Sequence, residues 1–171
     1  VDGPTASGKG TLAAVLAKEL GYRFLDSGSL YRITALAALQ SGLALDASGE
    51  QAIATLVLGL PIKFAQGRVL LDGTDVSDAI RTEEAGMNAS RVSALFKVRL
   101  ALVDLQHSFR QLPGLVAAGR DMGTIIFPDA PLKVLVTASA ERRAERHDYR
   151  WSTKAHSTTL RQPRRDSRDR G

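Results

Sequence analysis

Apolar positions change period several times along this chain, and each change marks an element. Leu12, Val15, Leu16 and Leu20 recur at helical spacing and stop at Gly21, which predicts a helix over 11–20 with that face against a sheet. Residues 22–25 read as a short strand and 26–29 as a turn, with Ser29 capping a helix that runs through Leu39 to about Gly42. A short helix is expected at about 50–58. The runs 62–64, 69–71 and 74–76 are short and β-prone, with glycine turns at Gly67 and Gly73 between them, which predicts an antiparallel meander. Helical spacing returns over about 83–112, broken near Phe96 and ended by Pro113 and Gly114. Residues 115–118 and 134–136 are short apolar runs, and 140 to about 150 is again helical. Strands alternating with helices imply a parallel α/β sheet with ligands at the strand ends. The meander has no place in such a sheet, so about 59–82 reads as an inserted subdomain.

At 171 residues, 44% of them apolar, the chain is the size of one packed domain spanning 1–171. No run approaches the ~18 apolar residues of a membrane span, and nothing reads as a signal peptide. The absence of cysteine excludes disulfides and thiolate chemistry, and three scattered histidines argue against a zinc site. A cytoplasmic, monomeric enzyme without a membrane partner is the expectation. The net charge of +5 lies entirely in the tail, where residues 141–171 carry 10 Lys and Arg against 5 Asp and Glu. Such a tail suits a nucleic-acid arm, or arginines gathered around a triphosphate. The motif at the start of the chain favours the second.

That motif is Gly3, Pro4, Thr5, Ala6, Ser7, Gly8, Lys9, Gly10 and Thr11. Gly3 and Gly8 let the backbone turn where a Cβ would clash, so that successive N–H groups face one concavity at a helix start. Lys9 adds a full charge for the β- and γ-phosphates, and the Thr11 hydroxyl is placed to ligate Mg²⁺ beside ATP. The hydroxyl arrives one place later than in the common phosphate-loop pattern, after Gly10. A Gly-Lys-Gly-Thr ending resembles nucleoside monophosphate kinases.

Three further motifs sharpen the resemblance: Asp26-Ser-Gly-Ser-Leu-Tyr-Arg32, Ile80-Arg-Thr82 and Gly119-Arg-Asp-Met-Gly-Thr124. Together they look like the bacterial cytidylate (CMP/dCMP) kinase family, over residues 1 to about 146. The resemblance implies a P-loop NTPase-type parallel sheet with an inserted antiparallel NMP-binding subdomain and a C-terminal lid. It also implies roles. Ser27 would contact the ribose of CMP and Arg32 its phosphate. Ser90, Arg99 and Asp121 would surround the cytosine, with Asp121 accepting from the 4-amino group. Arg120 would sit near the acceptor phosphate. In the irregular segment 147–171, Arg165 and Arg168 would clamp phosphates and Asp169 would meet a ribose.

The chain departs from that family in three respects. Position 118 is Ala where many relatives carry an acid that would organise Mg²⁺ through water, so Ala118→Asp is expected to raise turnover or tighten Mg²⁺ dependence. Residues 147–164 are shorter than the family's lid and do not follow its pattern. The first strand is nearly absent and the end comes early, so the chain looks like a fragment, and loss of a central strand is expected to impair folding. Phosphorylation of CMP or dCMP by ATP is the leading reading. The alternatives are another small-molecule P-loop kinase, and a non-catalytic nucleotide- or nucleic-acid-binding remnant.

Overall fold

A computed structural model describes residues 1–65 and 68–145. The elements run α1 (Lys9–Leu20), β1 (Arg23–Asp26), α2 (Ser27–Gln40), α3 (Glu50–Leu58), β2 (Ile62–Ala65), β3 (Arg68–Leu71), β4 (Thr74–Asp75), a 3₁₀ turn (Ala79–Arg81), α4 (Glu83–Ser93), α5 (Phe96–Ser108), β5 (Leu115–Ala118) and a π-helical turn (Met122–Ile126). Residues 140–145 are helical as well. No helix among the described residues is long and apolar enough to cross a membrane.

β1 and β5 pair in parallel, with Phe24 opposite Val116 and Asp26 opposite Ala118. Residues 1–2 lie on the other side of β5. The Val1 nitrogen donates to the Ala117 carbonyl at 2.7 Å, and the Gly119 N–H donates to the Val1 carbonyl at 3.0 Å. On the far side Asp2 donates to the Val134 carbonyl and accepts from the Val136 N–H, both at 2.8 Å. The order is therefore β1, β5, residues 1–2, residues 134–136, all parallel. Side chains alternate between the two faces of this sheet. Phe24, Val116 and Ala118 meet α1, whereas Leu25, Leu115 and Ala117 meet the main core around Leu30, Ile53, Val57, Val92, Val98 and Leu102.

The antiparallel trio β2–β3–β4 forms a separate small sheet, and Val69 and Leu71 pack on Ile33 and Ala37 of α2. The long helical stretch breaks at Ala94 and Leu95, close to the expected Phe96.

Two local expectations are corrected. α1 turns Ala13 and Ala17 to the sheet, while Leu12, Val15 and Leu20 are about half exposed and Leu16 is partly buried. Small side chains let helix and strand approach closely, so the larger apolar residues do not mark the buried face. α2 begins two residues earlier than Ser29, capped by Asp26. Its carboxylate accepts from the Gly28 N–H at 3.0 Å and from the Ser29 hydroxyl at 2.9 Å, so Ser29 is itself held by the cap.

The reversed face of α1 has a measurable consequence. Ala17→Leu is expected to destabilise by about 1–3 kcal/mol through overpacking. Val15→Lys, on the exposed side, is expected to shift stability by no more than about 0.5 kcal/mol. Urea unfolding of the two variants checks the order.

Candidate active site

Gly3 is buried beside residues 134–136, and a Cβ there would run into the Val136 carbonyl oxygen. Gly8, the residue before α1, has φ 96° and ψ 0°, a left-handed conformation that glycine adopts without strain. These two positions let the loop turn back tightly enough for its amides to face the start of α1. No acidic residue occupies the first turn of α1, where the Ser7 hydroxyl accepts from the Lys9 N–H at 3.4 Å, so the positive end of the helix dipole faces the loop without a counter-charge in that turn. The Lys9 ammonium donates to the Pro4 carbonyl at 3.1 Å, which folds the side chain across the loop. Thr11 is exposed in the same first turn.

Beside the loop lies an open cavity of about 440 Å³, lined by Gly3, Pro4, Thr5, Arg120, Leu135 and Arg143. Arg120 leaves the end of β5 and donates to the Thr5 hydroxyl at 3.1 Å, which ties the expected acceptor arginine to the phosphate loop. Arg143 belongs to the basic segment 141–171 but was given no role of its own there, the expected phosphate clamps being Arg165 and Arg168. Its buried Nε has no hydrogen-bond partner among the described residues. The signal was present in the sequence: Arg143 stands one helical turn after Ser139, whose carbonyl accepts the Arg143 N–H at 3.0 Å, just past the apolar run 134–136.

The expected acceptor-nucleotide residues gather on the other side, where α2 crosses α4. Ser27 is buried at the first turn of α2. Arg32 donates to the carbonyls of Ile80 at 2.8 Å and Thr82 at 3.3 Å, which joins the two motifs quoted above. Arg32 also helps line a smaller cavity of about 140 Å³ with Leu36, Thr82, Ala85 and Asn88. A Cβ on Gly86 would come within 3.2 Å of the Arg32 guanidinium, so this glycine makes room for it. One turn further along α4 the Ser90 hydroxyl donates to the Gly86 carbonyl at 3.1 Å, leaving its lone pairs to accept.

Arg99 lies with its guanidinium 5.9 Å from the centre of the Phe96 ring. Asp121 precedes the π-helical turn, and its carbonyl accepts the Ile125 and Ile126 N–H groups while its side chain caps nothing. Both charges reach Tyr31. Burial raises the Tyr31 hydroxyl above its ordinary pKa, with Arg99 opposing that shift and Asp121 adding to it. Arg165, Arg168 and Asp169 lie outside the described residues.

Comparison with known proteins shows the family. The family model described as cytidylate kinase matches residues 1–171. The chain belongs to the cytidylate kinase family. It is 51% identical over 170 residues to a cytidylate kinase of Burkholderia vietnamiensis, covering 99% of this chain and 74% of that protein. It is 50% identical to a cytidylate kinase of Chromobacterium violaceum, with 99% and 76% covered. A third, from Paraburkholderia phymatum, is 52% identical with 99% and 74% covered.

Within this cytidylate kinase framework the Ala118 departure takes on a definite setting. Ala118 is fully buried in the cluster it forms with Ala13, Ala17 and Val116 under α1. A carboxylate there would lose its hydration unless a cation or donor met it. Ala118→Asp is therefore expected to destabilise the ligand-free protein by about 1–3 kcal/mol. Adding Mg²⁺ and ATP should recover more stability in the variant than in the parent. Thermal melts with and without Mg²⁺ and ATP measure both effects, and identical shifts for parent and variant would remove any role for this position in metal binding.

Proposed function

We propose that this chain transfers the γ-phosphoryl group of ATP to CMP or dCMP, giving ADP and CDP or dCDP. What supports the proposal is the presence, within one family-matched chain, of a phosphate loop tied to Arg120 and of the motif residues expected around the acceptor nucleotide. An oxygen of the acceptor phosphate attacks the γ-phosphorus in line, and the bond to the β,γ-bridging oxygen breaks. The acceptor phosphate is already an anion, so no general base is required, and positioning with charge stabilisation supplies the catalysis.

Each residue then has a task. Backbone N–H groups of the loop and of the start of α1 would cradle the β- and γ-phosphates, and Lys9 would exchange the Pro4 carbonyl for phosphate oxygen. Arg120, beside Thr5, lies on the loop side of the site and would neutralise the acceptor phosphate as it meets the γ-phosphoryl group. Arg32 would hold the far side of the same phosphate. Arg143, in the cavity wall, offers its guanidinium to ATP. Ser27 would meet the ribose, and Arg165, Arg168 and Asp169 would complete the site from the tail. A divalent cation, Mg²⁺ by expectation, neutralises phosphate charge when bound. Among the described residues no group of three or more His, Cys, Asp or Glu could hold a metal, and the single Thr11 hydroxyl fits an ion carried mainly by the phosphates and water.

Ser90, Arg99 and Asp121 would set the preference for cytosine. A carboxylate at Asp121 accepts from the 4-amino group of cytosine and opposes the carbonyl oxygen that uracil carries at the same place. The remnant reading rests on Ala118, the irregular segment 147–164 and the basic tail, and upstream of residue 141 the charges balance, with 13 of each sign. A nucleic-acid surface built on residues 1–140 has no charge excess to draw on.

ADP formation from ATP and Mg²⁺, with CMP, dCMP, UMP and AMP offered separately, tests the reading. Turnover with CMP or dCMP well above AMP is expected. Asp121→Asn is expected to lower the preference for CMP over UMP by about 10- to 100-fold, as loss of one well-placed base contact does. A folded protein indifferent to CMP would overturn the assignment.

A further inference from the structure

Asp2 has a carboxylate that none of the roles above uses. Its Oδ1 accepts the Met122 N–H at 2.8 Å and its Oδ2 accepts the Gly123 N–H at 2.9 Å. Those amides open the π-helical turn Met122–Ile126, where the first N–H groups have no partner within the turn, and Asp121 does not cap them with its own side chain. Asp2 is therefore the cap, supplied from the neighbouring strand position rather than from the turn itself. Two charge-assisted bonds from one carboxylate fix both the position and the tilt of what they hold.

The neighbours of these three residues give the contact its consequence. Gly3, which begins the phosphate loop, follows Asp2 directly. Arg120 and Asp121 directly precede Met122. Packing around the contact is close: a Cβ on Gly123 would lie 3.3 Å from Asp2 Oδ2 and 3.1 Å from the Lys133 side chain. The Arg120–Thr5 hydrogen bond joins the same two segments a few residues further on.

We propose that Asp2 is a positioning residue for phosphoryl transfer. It holds the segment that carries Arg120 and Asp121 in register with the phosphate loop, so that the acceptor nucleotide is presented to ATP at a fixed distance and angle. The assignment rests on the cytidylate kinase reading for what Arg120 and Asp121 bind; the clamp itself is a property of the fold.

The test uses the whole chain and the variants Asp2→Asn and Asp2→Ser. Asparagine keeps one accepting oxygen but turns an NH₂ toward the other N–H, while serine removes the carboxylate altogether. Amide hydrogen exchange read by mass spectrometry should show faster exchange confined to the peptide spanning 119–126, with β1 and α2 unchanged. CMP affinity, measured calorimetrically, should fall by about tenfold or more and the CMP-to-UMP ratio with it, while ATP affinity changes by less than about twofold. In an Arg120→Ala, Asp121→Asn background, Asp2→Asn should cost no further CMP affinity, because the residues through which it acts are gone.

Unchanged exchange over 119–126, exchange raised across the whole sheet, equal losses for ATP and CMP, or additive effects in the combined variant would each overturn the proposal. So would loss of folding in both Asp2 variants, since the carboxylate would then hold up the sheet rather than the site. If the parent chain binds no CMP while Asp2→Asn still frees Met122 and Gly123 locally, the clamp stands and the substrate reading fails.

Discussion

Four backbone hydrogen bonds made by Val1 and Asp2, two toward β5 and two toward residues 134 and 136, decide where the phosphate loop begins. An anion site built from N–H groups works only if those groups stay aimed, because each has to be held against the entropy of a free loop. Extended backbone paired on both sides supplies that rigidity at the point where Gly3 leaves the sheet. The loop is pinned again five residues later, where Gly8 turns left-handed and α1 starts over Ala13 and Ala17. Between those two anchors the chain has little freedom to close up and bury its own amides.

The same sheet edge sets the acceptor side. β5 ends at Ala118, and the chain then passes through Gly119, Arg120 and Asp121 into the π-helical turn. Because β5 lies between β1 and residues 1–2, its end faces both the cap of α2 and the start of the phosphate loop. Arg120 reaches Thr5 on one side, and Asp121 leads into the π-helical turn on the other. The residues proposed for the two nucleotides thus lie at neighbouring strand ends, as expected for ligands of an open parallel sheet.

Much of this was legible in the sequence, and the exceptions share a physical cause. Alternating periods placed α3, the meander, the break before α5 and β5 close to where they lie, since period and turn residues are local properties. The face of α1 was misread because close helix–strand contact selects small residues, and Ala13 and Ala17 carry little weight in a hydrophobic pattern beside Leu12 and Val15. Ser29 was taken as the cap of α2 although Asp26 performs that function, because both are good caps and only the strand end at Asp26 distinguishes them. Asp2 was invisible for a different reason. Its carboxylate accepts from Met122 and Gly123, more than a hundred residues away in the chain, and no local pattern records such a pairing.

The cationic groups of the site are held in a way that favours exchange. Lys9 donates to the Pro4 carbonyl, Arg32 to the carbonyls of Ile80 and Thr82, and Arg120 to the Thr5 hydroxyl. Neutral oxygens orient a cation and satisfy its protons without cancelling its charge. A phosphate oxygen makes a shorter and roughly twice as strong hydrogen bond, so each side chain gains by leaving its present partner for substrate. A carboxylate in place of the Thr5 hydroxyl at Arg120 would instead divert part of the phosphate binding energy into breaking an ion pair. Arg143 goes further, since its buried Nε has no partner among the described residues and is already turned into the cavity wall beside the loop. A site arranged in this manner carries its charge in place before the nucleotides arrive, and preorganised charge is what phosphoryl transfer requires of a protein.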